Sequence, residues 1–116
     1  VQDFTISADL ELLEQVLINL IKNSIEALTE ENKTNPRIGI SISTDDQYQC
    51  IRISDNGPGI SDEICNDIFT PFFTTKAQGS GLGLSLAYQI LSWHNGHIEY
   101  VKSPMGAEFK LTLPKI

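Results

Sequence analysis

A chain of 116 residues with 41% hydrophobic and 20% charged side chains has the size and composition of one compact globular domain. Its net charge of −7 argues against nucleic-acid partners and direct membrane contact, because polyanions and anionic bilayers attract clustered Lys and Arg. No apolar run approaches the roughly 18 residues that a membrane-spanning helix needs. Cys50 and Cys65 have neither metal-motif nor disulfide-scaffold spacing, so we expect reduced core thiols in a cytosolic protein.

The first part of the chain predicts a short strand and a long helix. Residues 3–7 have the pattern of a strand, and Asp9 offers an N-cap for a helix that runs to about Glu30. The apolar residues of this helix recur at helical spacing over a broad face, which is typical of a helix packed on a sheet.

Residues 37–55 predict a hairpin. Apolar and polar residues alternate on both sides of an Asp45-Asp46-Gln47 turn, so one face of the hairpin should be buried. The apolar stripe on that face consists of Ile38, Ile40, Ile42, Ile51 and Ile53.

The second part of the chain predicts further helices and strands. Ser61 can cap a short helix that reaches Ile68, and the composition of residues 70–80 indicates a loop. A second long helix should start at Leu82 and end with a left-handed C-cap at Asn95-Gly96. Two strands should follow, at about 97–102 and 107–113. The order predicts a two-layer α/β sandwich, a mixed five-stranded sheet with about three helices on one face.

Four separated segments carry the functional signal: Asn19-Leu-Ile-Lys-Asn23, Asp55-Asn-Gly-Pro-Gly59, Phe69-Thr-Pro-Phe-Phe-Thr-Thr-Lys76 and Gly79-Ser-Gly-Leu-Gly-Leu84. In this order they resemble the asparagine, first glycine, phenylalanine and second glycine boxes of sensor histidine kinase catalytic domains. The resemblance covers nearly the whole chain. It implies that residues 1–116 form one domain with the Bergerat (HATPase_c) fold. It also implies that the chain binds ATP with Mg²⁺. Within the family, the residues of the third segment are most similar to those of the nitrogen-regulation and dicarboxylate sensor subgroup.

The first box places two asparagines on one side of the first long helix. Asn19 and Asn23 are four residues apart, at the edge of its polar face. A solvated polar face would explain them, but amide oxygens are also hard ligands for Mg²⁺. The resemblance favours metal ligation, mainly by Asn23, with Lys22 as a candidate phosphate contact. ATPase relatives carry a water-activating glutamate in place of Asn19, so this amide predicts phosphoryl transfer rather than hydrolysis.

The second box predicts the adenine pocket. Asp55 shares a strand face with Ile51 and Ile53, so its carboxylate ends an apolar stripe and needs a donor. A surface turn is the alternative reading of this segment. The resemblance implies that Asp55 accepts a hydrogen bond from the adenine amine. Gly57, Gly59 and Ile60 would then form the tight turn against the base.

The third and fourth boxes predict an ATP lid at about residues 70–80. Glycines before a helix let backbone N–H groups approach phosphates, and the helix N-terminus adds a partial positive charge. Phe69, Phe72 and Phe73 would be hydrophobic clips of the lid, although plain core packing is an equally ordinary role for them. The resemblance extends the nucleotide site to Phe73, Thr75, Lys76, Gly79, Gly81, Leu82, Gly83 and Leu84.

Neither histidine fits a phosphoacceptor. His94 and His97 precede Asn95 and Ile98 around a predicted helix end, whereas the family's acceptor is followed by Glu or Asp on a helical hairpin. We therefore expect the chain to bind ATP or ADP without completing the reaction alone. The resemblance implies that it is the cytosolic domain of a membrane-anchored bacterial sensor kinase. Its expected partners are the dimerisation hairpin of that kinase and, indirectly, a response regulator receiver domain. The alternatives are a serine kinase of the anti-sigma-factor type, a gyrase-, Hsp90- or MutL-like ATPase, or a non-catalytic ATP-binding module.

Overall fold

The computed structural model of the chain describes residues 8–73, 83–103 and 106–115. In chain order its elements are α1 (Leu10–Glu31), β1 (Ile38–Thr44), β2 (Tyr48–Asp55), α2 (Gly83–Trp93), β3 (His97–Ser103) and β4 (Gly106–Pro114). The strands form an antiparallel sheet in the order β1-β2-β4-β3. Both helices pack on the sheet face that carries the buried residues of β2, β3 and β4, which gives two layers.

Helix α1 forms as the sequence predicts. The Asp9 carboxylate caps it by accepting a hydrogen bond from the Leu12 N–H at 3.1 Å, and Asn32 ends it in the left-handed region at φ 55°. The fully buried side chains of Val16 and Leu20 form part of the common core with α2 and the sheet. Burial of this face determines which residues of α1 remain available at its polar edge.

The hairpin prediction is confirmed, but only one of its two strands is buried. Ile51 and Ile53 of β2 belong to the core, whereas Ile40 and Ile42 of β1 are 57% and 55% exposed. Ile38 is also exposed, so the prediction of a buried face on the first strand is wrong. The reason is position, because β1 is the edge strand of the described sheet while α1 packs against β2.

The turn of this hairpin is held by one carboxylate. Asp45 Oδ1 accepts hydrogen bonds from the backbone N–H groups of Gln47 and Tyr48, at 2.9 and 2.7 Å. These two bonds lower the pKa of Asp45 from its usual value, since they favour the ionised carboxylate.

The helix predicted from Ser61 to Ile68 is not present. This segment is a series of turns, in which the Ser61 carbonyl accepts from both Ile64 and Cys65 and no continuous helical ladder follows. Its Ser, Asp and Asn residues compete for backbone hydrogen bonds and so favour turns. The described residues therefore contain two helices instead of three. The strand predicted at residues 3–7, which would make the sheet mixed and five-stranded, lies outside the described residues.

The second helix and the last two strands agree with prediction. Asn95 adopts the left-handed conformation at φ 57°, and the Gly96 N–H donates to the Leu91 carbonyl at 2.8 Å. Cys50 and Cys65 are free thiols, but both are half-buried and neither belongs to the core cluster. Within the described ranges, no helix is both long and apolar enough to cross a membrane.

The burial of α1 yields a stability prediction. Leu20 is 0% exposed, so Leu20→Ala should lower the free energy of unfolding by about 2–5 kcal/mol through lost burial and an incompletely filled cavity. Leu10 lies on the same helix and is 71% exposed, so Leu10→Ala should change it by less than about 0.5 kcal/mol. Urea unfolding of both variants is the measurement. Equal losses would contradict the assigned orientation of α1.

Candidate functional site

The polar edge of α1 lies directly against the start of α2. The Asn19 side-chain Nδ2 donates a long hydrogen bond of 3.4 Å to the Gly83 carbonyl, and its Oδ1 accepts one of 3.3 Å from Gln15 Nε2. A Cβ placed on Gly83 would lie 3.9 Å from Asn19 Cγ. The fold thus brings the first asparagine of the first box next to the last glycine of the fourth box, 64 residues away.

Asn23 lies one helical turn further along α1. It is half-buried, whereas Lys22 beside it is exposed. At about 1.5 Å of rise per residue, Asn23 is about 6 Å along the helix from Asn19 and about 7.5 Å from Leu28. It therefore lies between the contact with α2 and the contact that Leu28 makes with the loop after β2.

That loop, which we call the base loop, covers residues 55–60. Asp55 is half-buried at the end of β2, and its Oδ1 accepts a hydrogen bond of 2.9 Å from the Gly57 N–H. A Cβ on Gly57 would come within 2.9 Å of that same oxygen and 3.4 Å of Leu28 Cδ2. A side chain at position 57 would therefore require the Asp55 carboxylate to shift from the position in which it accepts the Gly57 N–H.

A second anchor fixes the base loop to the segment before β1. The Asn56 side chain accepts from the Arg37 N–H at 2.8 Å and donates to the Asn35 carbonyl at 3.0 Å. The Asn56 N–H also donates to the Arg37 carbonyl at 3.2 Å. The three bonds continue the β1–β2 pairing past its last residues, so Asp55 ends on a fixed strand rather than on a free loop.

The β3–β4 hairpin supports the base loop from the other side. Gly59 has φ 76°, and a Cβ there would lie 3.3 Å from the Tyr100 hydroxyl and 3.4 Å from the Gly106 carbonyl. Gly106 has φ 147°, and any side chain on it would collide with the Asp55 carbonyl oxygen. The start of β4 is therefore packed against the end of β2 at the residue that carries the predicted base contact.

The aromatic segment is mainly a packing element in the described part of the chain. The Phe69 ring lies 5.6 Å from that of Tyr88 on α2 and 6.3 Å from that of Phe109 on β4. Phe73 and Leu84 are half-buried against the core, whereas Phe72 is exposed at φ 68°. The remaining predicted site residues lie outside the described residues: Thr75, Lys76, Gly79, Gly81 and Leu82.

Sequence reasoning missed three supporting residues of the site. Asn56 was part of the recognised segment, but its hydrogen bonds to residues 35 and 37 depend on hairpin register. The sequence places Gly106 only between the last two predicted strands, and Tyr100 only within the first of them. Their contacts with the base loop join positions about 40 or more residues apart, and local periodicity carries no signal for such pairs.

Comparison with known proteins gives the same class of domain. A model of the "Histidine kinase-, DNA gyrase B-, and HSP90-like ATPase" family matches residues 8–116. The histidine-protein kinase AtoS of Escherichia coli K12 is 45% identical over 94% of this chain, and the C4-dicarboxylate sensor DctS of Rhodobacter capsulatus is 36% identical over 94%. The chain spans less than a fifth of the length of these two relatives, 18% and 17%.

A solved structure extends the match to three dimensions. A nucleotide-free form of the catalytic domain of histidine kinase ThkA superposes with a TM-score of 0.83 at 38% identity, covering 95% of this chain and 70% of that one. The chain therefore belongs to the histidine kinase-, DNA gyrase B- and HSP90-like ATPase family. Within it, the chain matches the ATP-binding catalytic domain of sensor histidine kinases, as the four boxes predict.

Proposed function

We propose that the chain binds ATP with Mg²⁺ between α1, the base loop and the start of α2, and donates the γ-phosphoryl group to a histidine on a separate dimerisation hairpin. The observation that supports this proposal is the contact of Asn19 with Gly83, because it brings the edge of α1 that carries the two asparagines beside the N-terminal end of α2. Further along α1, Leu28 Cδ2 lies close to the base loop, 3.4 Å from the position that a Cβ on Gly57 would occupy. Asn19 and Leu28 are nine residues, or about 13.5 Å, apart along the helix axis.

Asp55 has the chemistry for adenine. One of its oxygens is already used by the Gly57 N–H, and an ionised carboxylate has further lone pairs that can accept from an exocyclic amine. Because the internal bond and the strand pairing fix the carboxylate, little of the binding free energy is lost in ordering it. Gly57, Gly59 and Ile60 provide the backbone on which the base would lie.

The edge of α1 that carries Asn19 and Asn23 fits a Mg²⁺ ion that is also coordinated by phosphate oxygens. Among the described residues, no group of three or more His, Cys, Asp or Glu side chains could hold a metal ion. A site with one or two amide oxygens therefore needs the oxygens of phosphates and water to complete octahedral coordination. Asn23 is the principal ligand in this proposal, because the resemblance to the asparagine box favours it over Asn19 as the metal ligand. The ion would neutralise phosphate charge.

The phosphates would lie toward the start of α2. The N-terminal N–H groups of a helix and its partial positive charge favour an anion there, which matters in a chain of net charge −7. In this proposal Gly79, Gly81 and Leu82 offer backbone contacts, and Thr75, Lys76 and Lys22 add side-chain contacts. Residues 70–80 would form the lid over them.

The reaction we propose is phosphoryl transfer to another domain. An amide at position 19 cannot take a proton from water, so the α1 edge lacks the general base that hydrolysis needs. The in-line nucleophile is then the histidine of the dimerisation hairpin, and a response regulator receives the phosphoryl group afterwards. We place these events in the bacterial cytosol. The chain spans less than a fifth of the length of its kinase relatives. The hairpin, the response regulator and the cytosolic location are therefore parts of this proposal.

The adenine assignment predicts the behaviour of one variant. Asp55→Ala should weaken ATP, ADP and adenosine alike by about 1–3 kcal/mol, because it removes a hydrogen bond to a charged group. Calorimetric titration measures this. Asp45→Ala is the matched control, since Asp45 also holds a turn through backbone N–H groups but lies at the other end of β2. Wild-type affinity in folded Asp55→Ala would disprove the assignment.

The metal assignment predicts a different pattern. Asn23→Ala should lose the Mg²⁺-dependent part of ATP affinity while retaining adenosine binding, because only the phosphates share the ion. Titrations of ATP with and without Mg²⁺, and of adenosine, separate the two contributions. Asn66→Ala, an exposed asparagine in the turn segment, should change neither. An unchanged Mg²⁺ dependence in Asn23→Ala would show that Asn23 is a solvated polar residue of α1 and not a metal ligand.

A further inference from the structure

Tyr100 connects strand β3 to the base loop through its hydroxyl group. The Tyr100 hydroxyl oxygen accepts a hydrogen bond of 3.0 Å from the Ile60 N–H, across 40 residues of sequence. Its ring lies 5.7 Å from the ring of Phe109 on β4 and packs against the core cluster. The side chain thus has one end fixed by packing and the other end in contact with the loop.

The hydroxyl lies at the point where the base loop turns. Gly59 has a positive φ, and the site of a Cβ on it is 3.3 Å from the Tyr100 hydroxyl oxygen. The loop therefore has a bond at each end: Asp55 to Gly57 at its start, and Tyr100 to Ile60 at its end. The second of these bonds comes from outside the loop, and it fixes the Ile60 end of the loop relative to the sheet as the Asn56 bonds fix the other end.

A purely hydrophobic role does not account for this residue. Phenylalanine would provide the same ring contact with Phe109, but it would leave the part-buried Ile60 N–H without the partner it has here. Loss of the partner of a buried donor costs more than the net value of an average hydrogen bond. The loop would then shift to satisfy the N–H elsewhere.

We propose that Tyr100 is a positioning residue of the adenine pocket, whose hydroxyl holds Ile60 and so keeps the base loop aligned with the Asp55 carboxylate. This inference rests on the proposed ATP site. It adds a residue from β3 to a pocket that the four sequence boxes assign to the ends of β2 and α2 and to α1. Tyr100 does not itself need to touch the nucleotide.

The test is Tyr100→Phe, with Tyr48→Phe as the matched control. Tyr48 is an exposed tyrosine at the start of β2, at the opposite end of that strand from Asp55. In Tyr100→Phe, the Kd for adenosine, ADP and Mg²⁺-ATP should rise about three- to ten-fold, by the same factor for all three ligands. In Tyr48→Phe the Kd values should stay at wild type. Wild-type affinity in Tyr100→Phe, or a loss confined to ATP, would overturn the proposal.

A second readout separates positioning from general destabilisation. A base loop that is misaligned with the Asp55 carboxylate should discriminate less well between bases, so the ratio of GTP to ATP dissociation constants should fall in Tyr100→Phe. General destabilisation would scale both affinities by the folded fraction and leave the ratio unchanged. Urea unfolding of the variant gives that fraction. An unchanged ratio in a folded variant would overturn the positioning role.

The two hypotheses fail differently. If the wild-type chain binds neither adenosine nor ATP, the proposed function is wrong. If the wild-type chain binds both and depends on Asp55, but Tyr100→Phe behaves like wild type, only the inference about Tyr100 is wrong.

Discussion

The burial of one face of α1 is the constraint on which the rest of this site depends. With Val16 and Leu20 fully buried in the shared core, the helix cannot rotate without exposing them to water, at about 1.5–3 kcal/mol for each side chain. That orientation leaves Asn19 at the contact with Gly83 and Leu28 close to Gly57. A hydrophobic interaction therefore fixes the position of α1 relative to the start of α2 and to the base loop.

Strand pairing and hydrogen bonds fix the position of the base loop. Asp55 is a strand residue, and its backbone is paired with β1 on one side and β4 on the other. The hydrogen bonds of Asn56 and the close approach of Gly106 extend this rigidity past the last strand residue. A carboxylate on a rigid strand end costs little entropy on binding, which suits the adenine contact that we propose for Asp55.

Patterns of short range were predictable from the sequence. Helical periodicity and the Asp9 cap located α1, period-two alternation located the β1–β2 hairpin, and Asn95-Gly96 located the end of α2. The predictions that were wrong depend on the three-dimensional surroundings of the residues concerned. Whether the isoleucines of β1 are buried depends on what covers the edge of the sheet, and residues 61–68 are turns because tertiary contacts there do not impose a helix on poor helix formers.

The residues of the candidate site also fall into two groups, those that the sequence predicts and those that it does not. Residues of the recognised segments, such as Asn19, Asp55 and Gly83, could be named because each carries a chemical reason in its own segment. Tyr100 and Gly106 could not, because their roles come from contacts with residues about 40 or more positions away. The lid at about residues 70–80 remains a prediction from sequence.

We propose that this domain donates a phosphoryl group to a histidine on a separate dimerisation hairpin. The most direct measurement uses γ-labelled ATP with the chain alone, and with the chain joined to the histidine-bearing hairpin of its parent protein. The chain alone should neither label itself nor release phosphate appreciably, because no in-line nucleophile is held near the γ-phosphate. The joined protein should carry acid-labile label on the hairpin, and substitution of the acceptor histidine should abolish that label. Rapid ATP hydrolysis by the chain alone would contradict the account and favour an ATPase.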